Sequence, residues 1–234
     1  MRGSAPIMRA HAAALAAYQP WRRPMKLYII NLEQARDRRV YMEAQVDGLE
    51  HEFIEAVDSR TLQREDWPEQ MSLGAVGCAL SHLKAYRAIV RDGRTGIVLE
   101  DDAILPATLP DIDLDEGVAL LAYRHPPTIG QCRLRGPGPL LEPLDRILTS
   151  TAYAITPEAC ETLLEFNPVS RGLGPDHWSS FPIRVRCVEG RPVGHNSDFA
   201  STVSYRNGSF IPNRLRTWNR NRIERTMSKF VRVD

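Results

Sequence analysis

Between Lys26 and Val188 the chain alternates short unbroken apolar runs with longer stretches whose apolar residues recur at helical spacing. Leu27-Tyr-Ile-Ile30 and Ile97-Val-Leu99 have no polar residue interleaved, which suits strands covered on both faces of a parallel sheet. The first predicts a strand opening into a charged helix over 33–47. A second strand over 52–57 ends at Asp58. A helix over 73–90 passes through Asp92-Gly93 into the Ile97 strand. Residues 106–118 read as loop and 118–123 as a strand, while 124–148, rich in Pro, Gly and Arg, read as a loop and a candidate acceptor lid. Thr149–Thr156 alternates as a strand. Thr156 then caps a helix beginning at Pro157, and a last strand covers 183–188. Strands alternating with helices predict an α/β fold: one Rossmann-like domain with a mixed, mostly parallel sheet.

Beyond the Ile97 strand the pattern changes abruptly to Glu100-Asp101-Asp102. In open α/β sheets ligands sit beyond the carboxyl ends of the strands, and adjacent carboxylates repel unless a cation relieves them. An apolar strand with an acidic tip therefore suggests a metal and diphosphate site, although the same pattern also suits a solvated turn. Asn31 and Leu32 close the first strand, where Arg36, Arg38 and Arg39 could meet phosphate or simply face solvent. Asp58 suits either a ribose contact or a turn. Gly74 and Gly77 would permit a close approach at the start of the 73–90 helix. On that helix Ser81 and His82 stand among apolar neighbours, a setting in which a lone histidine is more often a core residue than a catalyst. Asp176 and His177 fall on a turn after Gly174-Pro175.

With 43% hydrophobic and 25% charged residues the chain reads as an ordinary globular protein, of a length suited to one large α/β domain. Residues 1–24, Ala-rich and ending in Gln-Pro-Trp-Arg-Arg-Pro, read as a leader, tag remnant or early start, with the folded domain over 25–205. The net charge of +1 conceals a basic arm over 206–234, where eight Lys or Arg oppose Glu224 and Asp234, so the arm carries +6 and the rest −5. Such an arm points to an anionic surface, here a membrane face or acceptor rather than nucleic acid. Cys78, Cys132, Cys160 and Cys187 form no C-x-x-C pair. They suit buried thiols in a reducing cytoplasm better than a disulfide framework. No run is long and apolar enough to span a bilayer, so the expected membrane contact is peripheral, on the inner face.

Six stretches, YIINLEQARDRR, AVDSRTL, LGAVGCALSH, IVLEDDAIL, TSTAYAITPEACETLL and GPDHW, stand in an order that resembles glycosyltransferase family 25 from Lys26 to about Ser204. That family comprises bacterial lipooligosaccharide galactosyltransferases and collagen galactosyltransferase domains. The resemblance implies a GT-A type fold, a UDP-sugar donor such as UDP-galactose, and Mn²⁺ or Mg²⁺. It also implies inversion at the anomeric carbon and a glycan or glycolipid acceptor such as a lipooligosaccharide core. It places Glu100, Asp101 and Asp102 at the metal and donor motif with Asp102 as direct ligand, Asn31, Leu32, Arg38 and Asp58 on the donor side, and Ser81 and His82 as the family's SH pair. Asp176 matches a late acid and is the candidate general base. GT-A enzymes commonly complete the cation's shell with a late histidine, and His195 is the one histidine beyond His177. Gln34 and Ala75 depart from the family pattern. They keep open a weakened UDP-sugar or carbohydrate binding module on the same fold. A glycoside hydrolase fits less well, because adjacent strand-end acids do not flank a sugar ring.

Overall fold

The computed structural model describes residues 25–124, 133–144 and 146–199. Its apolar runs become β1 (Lys26–Asn31), β2 (His51–Glu55), β3 (Gly96–Glu100), β4 (Ala103–Ile104), β5 (Val118–Leu120), β6 (Leu134–Arg135), β7 (Leu140–Pro143), β8 (Ala152–Ile155), β9 (Val185–Val188) and β10 (Gly194–His195). Three α-helices accompany them: α1 (Arg36–Gln45), α2 (Leu73–Asp92) and α3 (Pro157–Phe166). The main sheet has the order β2-β1-β3-β8-β5-β9-β7-β6, and β10 pairs with β4 in a second, two-stranded sheet.

Strands β2, β1 and β3 are parallel neighbours, β5 and β9 are parallel to each other, and β8 runs antiparallel between β3 and β5. The sheet is thus mixed and largely parallel, as its apolar runs predict. The antiparallel β8 has a local consequence: its amino end lies beside the carboxyl ends of β3 and β5.

Alternation across the sheet sorts the core into two layers. Tyr28, Ile30 and Val98 pack with Val76, Leu83 and Ile89 of α2 and with Leu163 of α3, whereas Leu27, Ile29, Ile97 and Leu99 pack with Tyr41 and Met42 of α1. Each fully buried Leu or Ile contributes roughly 1.5–3 kcal/mol relative to exposure. Ser72 and Thr156 cap α2 and α3 through side-chain oxygens, and Gly93 closes α2 in the left-handed region at φ 62°. Gly77 is required by space, since a Cβ there would lie 2.8 Å from the Val57 carbonyl oxygen.

Several boundaries differ from the sequence expectation. Glu33 and Gln34 form a turn before α1, because no side chain caps the helix and Leu32 turns the chain with an Ala35 N–H bond of 2.9 Å. The strands expected over 52–57, 118–123, 149–156 and 183–188 are shorter, since pairing partners run out before the apolar pattern does. The 124–148 segment is not loop throughout: β6 and β7 form a hairpin added to the β9 edge. Residues 125–132 and 145 of that candidate lid, the 1–24 leader and the arm over 206–234 lie outside the described residues.

Candidate active site

The three acids leave β3 on alternating sides, and that alternation decides their roles. Glu100 follows the parity of Val98 and turns toward α2, whereas Asp101 follows Leu99 and turns toward α1. Asp101, only 8% exposed, accepts from Arg38 Nη1 at 2.5 Å and from Asn31 Nδ2 at 2.8 Å. Burial raises its carboxyl above the ordinary value, with Arg38 and Asn31 pulling it back. Arg38 is therefore buried against the acids, also 3.7 Å from Asp102 and over the Phe199 ring, rather than facing solvent. Arg39 lies over the Phe53 ring and pairs with Glu43. Asn31, Arg38 and Asp101 brace the acidic turn, assisted by Gln45, which donates to the Ala103 carbonyl and accepts from Leu105 N–H.

Asp102 sits in the turn between β3 and β4. Its carbonyl accepts from Asn196 N–H at 2.8 Å, and the β10–β4 ladder sets His195 opposite Ala103. The consequence is a side-chain pair: His195 Nε2 lies 3.3 Å from Asp102 Oδ2, with His195 52% exposed and Asp102 9%. Asp102 raises the His195 imidazole above its ordinary value. The other oxygen, Asp102 Oδ1, is buried without a hydrogen-bond partner among the described residues. An orphaned carboxylate oxygen beside an imidazole is a donor set that fits a hard or borderline divalent cation.

A cleft of about 400 Å³ opens at this edge of the sheet. Glu100, Asp102 and His195 line it with Asp176, Thr149, Ser150 and Thr151 before β8, Tyr123 and Arg124 after β5, and Arg191 and Val193 after β9. Asp176 stands on the turn expected for it, its Oδ1 3.3 Å from His177 Nδ1 and without a hydrogen-bond partner among the described residues. Glu100 accepts from the Ser150 hydroxyl at 2.5 Å. Thr149 is held at φ 103°, a costly conformation for a β-branched residue, with its carbonyl bonded to Trp178 Nε1 at 2.7 Å.

Other sequence candidates lie elsewhere. Ser81 is 1% exposed, and its hydroxyl is used internally: it donates to Gly77 O and accepts from Val57 N–H at 2.8 Å. It positions the chain leading to Asp58. Asp58 itself caps a short 3₁₀ turn, accepts from Gln34 at 2.9 Å and is held down to about 2 by the Arg60 guanidinium. Leu32 is partly exposed in the turn after β1. His82 lies beneath the cleft with Nδ1 2.6 Å from the Tyr153 hydroxyl. The lining residues Arg124, Arg191 and Thr149–Thr151 escaped sequence reasoning. They follow from the sheet order, and the Thr-Ser-Thr cluster was visible only as the start of a strand.

A cleft lined by carboxylates and a histidine, at the carboxyl ends of the strands of a largely parallel α/β sheet, defines an enzyme-like ligand site. In comparison with known proteins, residues 25–114 match the model of glycosyltransferase family 25, described as LPS biosynthesis protein, a similarity that supports a glycosyl transferase. The match takes in Asn31, Arg38, Asp58, the Ser81-His82 pair and the three acids, and ends before Asp176 and His195. No curated protein matches the chain.

Proposed function

We propose that the protein is an inverting, metal-dependent glycosyltransferase of GT-A type. It moves a hexose, galactose by the family resemblance, from a UDP-sugar to a hydroxyl of a glycan acceptor such as a lipooligosaccharide core. The observation that carries this reading is the convergence of Asp102, His195, Glu100 and Asp176 on one cleft in a chain whose residues 25–114 match family 25. Asp102 and His195 would hold Mn²⁺ or Mg²⁺. Such an ion would supply positive charge to the diphosphate oxygens of a UDP leaving group.

The residues of the chain divide the remaining work. Asn31, Arg38 and Asp101 keep the acidic turn rigid, so Asp102 meets the donor without reorganising. Asp176 Oδ1, lacking another partner among the described residues, accepts the acceptor hydroxyl's proton as that oxygen bonds to the anomeric carbon and the carbon–oxygen bond to UDP breaks. Tyr123, Arg124 and Arg191 form the wall on which the acceptor rests. Among the described residues no helix is long and apolar enough to cross a membrane. A cytoplasmic enzyme meeting a glycolipid through its basic arm is consistent with that.

The test is UDP release from a panel of UDP-sugars with and without Mn²⁺, in the presence of a lipooligosaccharide acceptor. Metal-dependent release with one donor supports the reading. Donor binding without release would instead leave the binding module, and absence of both would refute it.

A further inference from the structure

At the floor of the cleft Glu100 also meets two ligand-type side chains, Cys78 and His82, to which the transfer reading gives no role. Cys78 and His82 are four residues apart on α2, hence on one face of the helix, and that face is the one toward which Glu100 turns from β3. The Cys78 Sγ, one His82 ring nitrogen and one Glu100 carboxylate oxygen lie within 4.8 Å of one another. The imidazole carries the independent signal. His82 is 1% exposed, and its Nε2 has no hydrogen-bond partner among the described residues although it points at Glu100 Oε1, 3.5 Å away.

That separation is too long for a good hydrogen bond. It is close to the edge of a tetrahedron with metal–ligand arms of about 2.0–2.2 Å. On the far side of the ring, Nδ1 meets the Tyr153 hydroxyl at 2.6 Å, and that hydroxyl donates onward to Tyr86 at 3.2 Å. With the Tyr153 proton directed to Tyr86, its oxygen accepts from Nδ1–H, which leaves the Nε2 lone pair facing the cluster. A metal-bound histidine has this arrangement, its second nitrogen fixed by an acceptor.

We propose that Cys78, His82 and Glu100 form a site for a thiophilic divalent cation of the zinc type, separate from the Asp102–His195 pair. Cys78 and Glu100 both line the cleft, so the fourth coordination position faces it. Burial and the surrounding carboxylates keep the Cys78 thiol protonated when no cation is there. Binding the cation releases that proton to solvent and leaves a thiolate–metal bond, so the affinity rises with pH. Mixed sulfur, nitrogen and oxygen ligands favour Zn²⁺ or Co²⁺ over Mn²⁺ or Mg²⁺, which the oxygen-rich upper site suits better.

The experiment uses the full chain, stripped with chelator and titrated with Co²⁺. One equivalent should bind with a near-ultraviolet thiolate-to-cobalt charge-transfer band and the visible bands of a tetrahedral ion, and Zn²⁺ should displace it. Cys78→Ser, with its circular dichroism unchanged, should lose the near-ultraviolet band. Tyr153→Phe should weaken cobalt binding by about 10–100-fold. The double variant Asp102→Asn, His195→Ala should keep the band, which separates this site from the transfer reading: the band can persist when no UDP-sugar is turned over. Absence of the band, its survival in Cys78→Ser, or its loss in the double variant would each overturn the proposal.

Discussion

Asp102 and Asp176 are both short acids on turns, yet their surroundings differ. Asp102 is locked between Arg38, His195 and the Asn196 backbone, with one oxygen left over. Asp102→Ala should therefore abolish metal-dependent UDP binding, read by calorimetry with Mn²⁺, while the unfolding midpoint stays near wild type; normal turnover would remove Asp102 from the site. Asp176→Asn keeps shape and hydrogen bonding but not basicity. It should retain donor affinity and lose roughly 10²-fold or more in kcat; a variant that fails to fold would make Asp176 a structural turn residue.

Asp92 carries a residue-scale pH prediction. Arg91, Lys26 and Tyr28 all bond to its carboxylate and hold it well below the ordinary carboxylate range. The unfolded chain takes up this proton near pH 4 and the folded chain only in stronger acid. The stabilisation is thus complete above the unfolded value and fades as pH falls toward the folded one. In urea titrations Asp92→Asn should cost about 2 kcal/mol at pH 7. The gap to wild type should narrow at pH 3; a constant gap would mean the variant acts through packing.

Between elements, the decisive joint is α2 against the chain after β2. Gly77 lets the two backbones meet, and the Ser81 hydroxyl receives the Val57 N–H that no strand accepts. Ser81→Ala strands that donor and should cost about 1–3 kcal/mol in chemical denaturation. An unchanged denaturation midpoint would show that water replaces the hydroxyl freely. The β10–β4 ladder is the corresponding joint on the other side, and it is short: two residue pairs bring His195 to Asp102.

For the whole molecule, charge is divided between a mildly acidic body and the basic arm over 206–234. Each basic residue near an anionic surface contributes about 1 kcal/mol, an attraction that salt screens. Deleting residues 214–234 should weaken binding to anionic liposomes or a glycolipid acceptor, the loss shrinking as salt rises, and should leave UDP affinity unchanged. A deletion effect indifferent to salt would mean the arm packs by apolar contact instead.

The buried strands, α2, the capped α3 and the acidic strand tip were legible in the chain, because apolar runs, helical spacing and capping residues act over a few neighbours. The family resemblance pointed to Asp102 and Asp176, the late histidine common in GT-A enzymes pointed to His195, and all three line the cleft. The inward turn of Asp101 onto Arg38 was not legible, because it depends on which layer each side of β3 faces. Nor was the internal use of Ser81, since its partner Val57 is distant in sequence. The cleft wall from Tyr123, Arg124, Thr149–Thr151 and Arg191 arises from the order β3-β8-β5-β9, with β8 reversed. Strand order is set by how the two layers of side chains pack, a property of the assembled sheet. The meeting of Cys78, His82 and Glu100 has the same origin: helix spacing joins the first two, and only the packing of α2 over β3 brings the third.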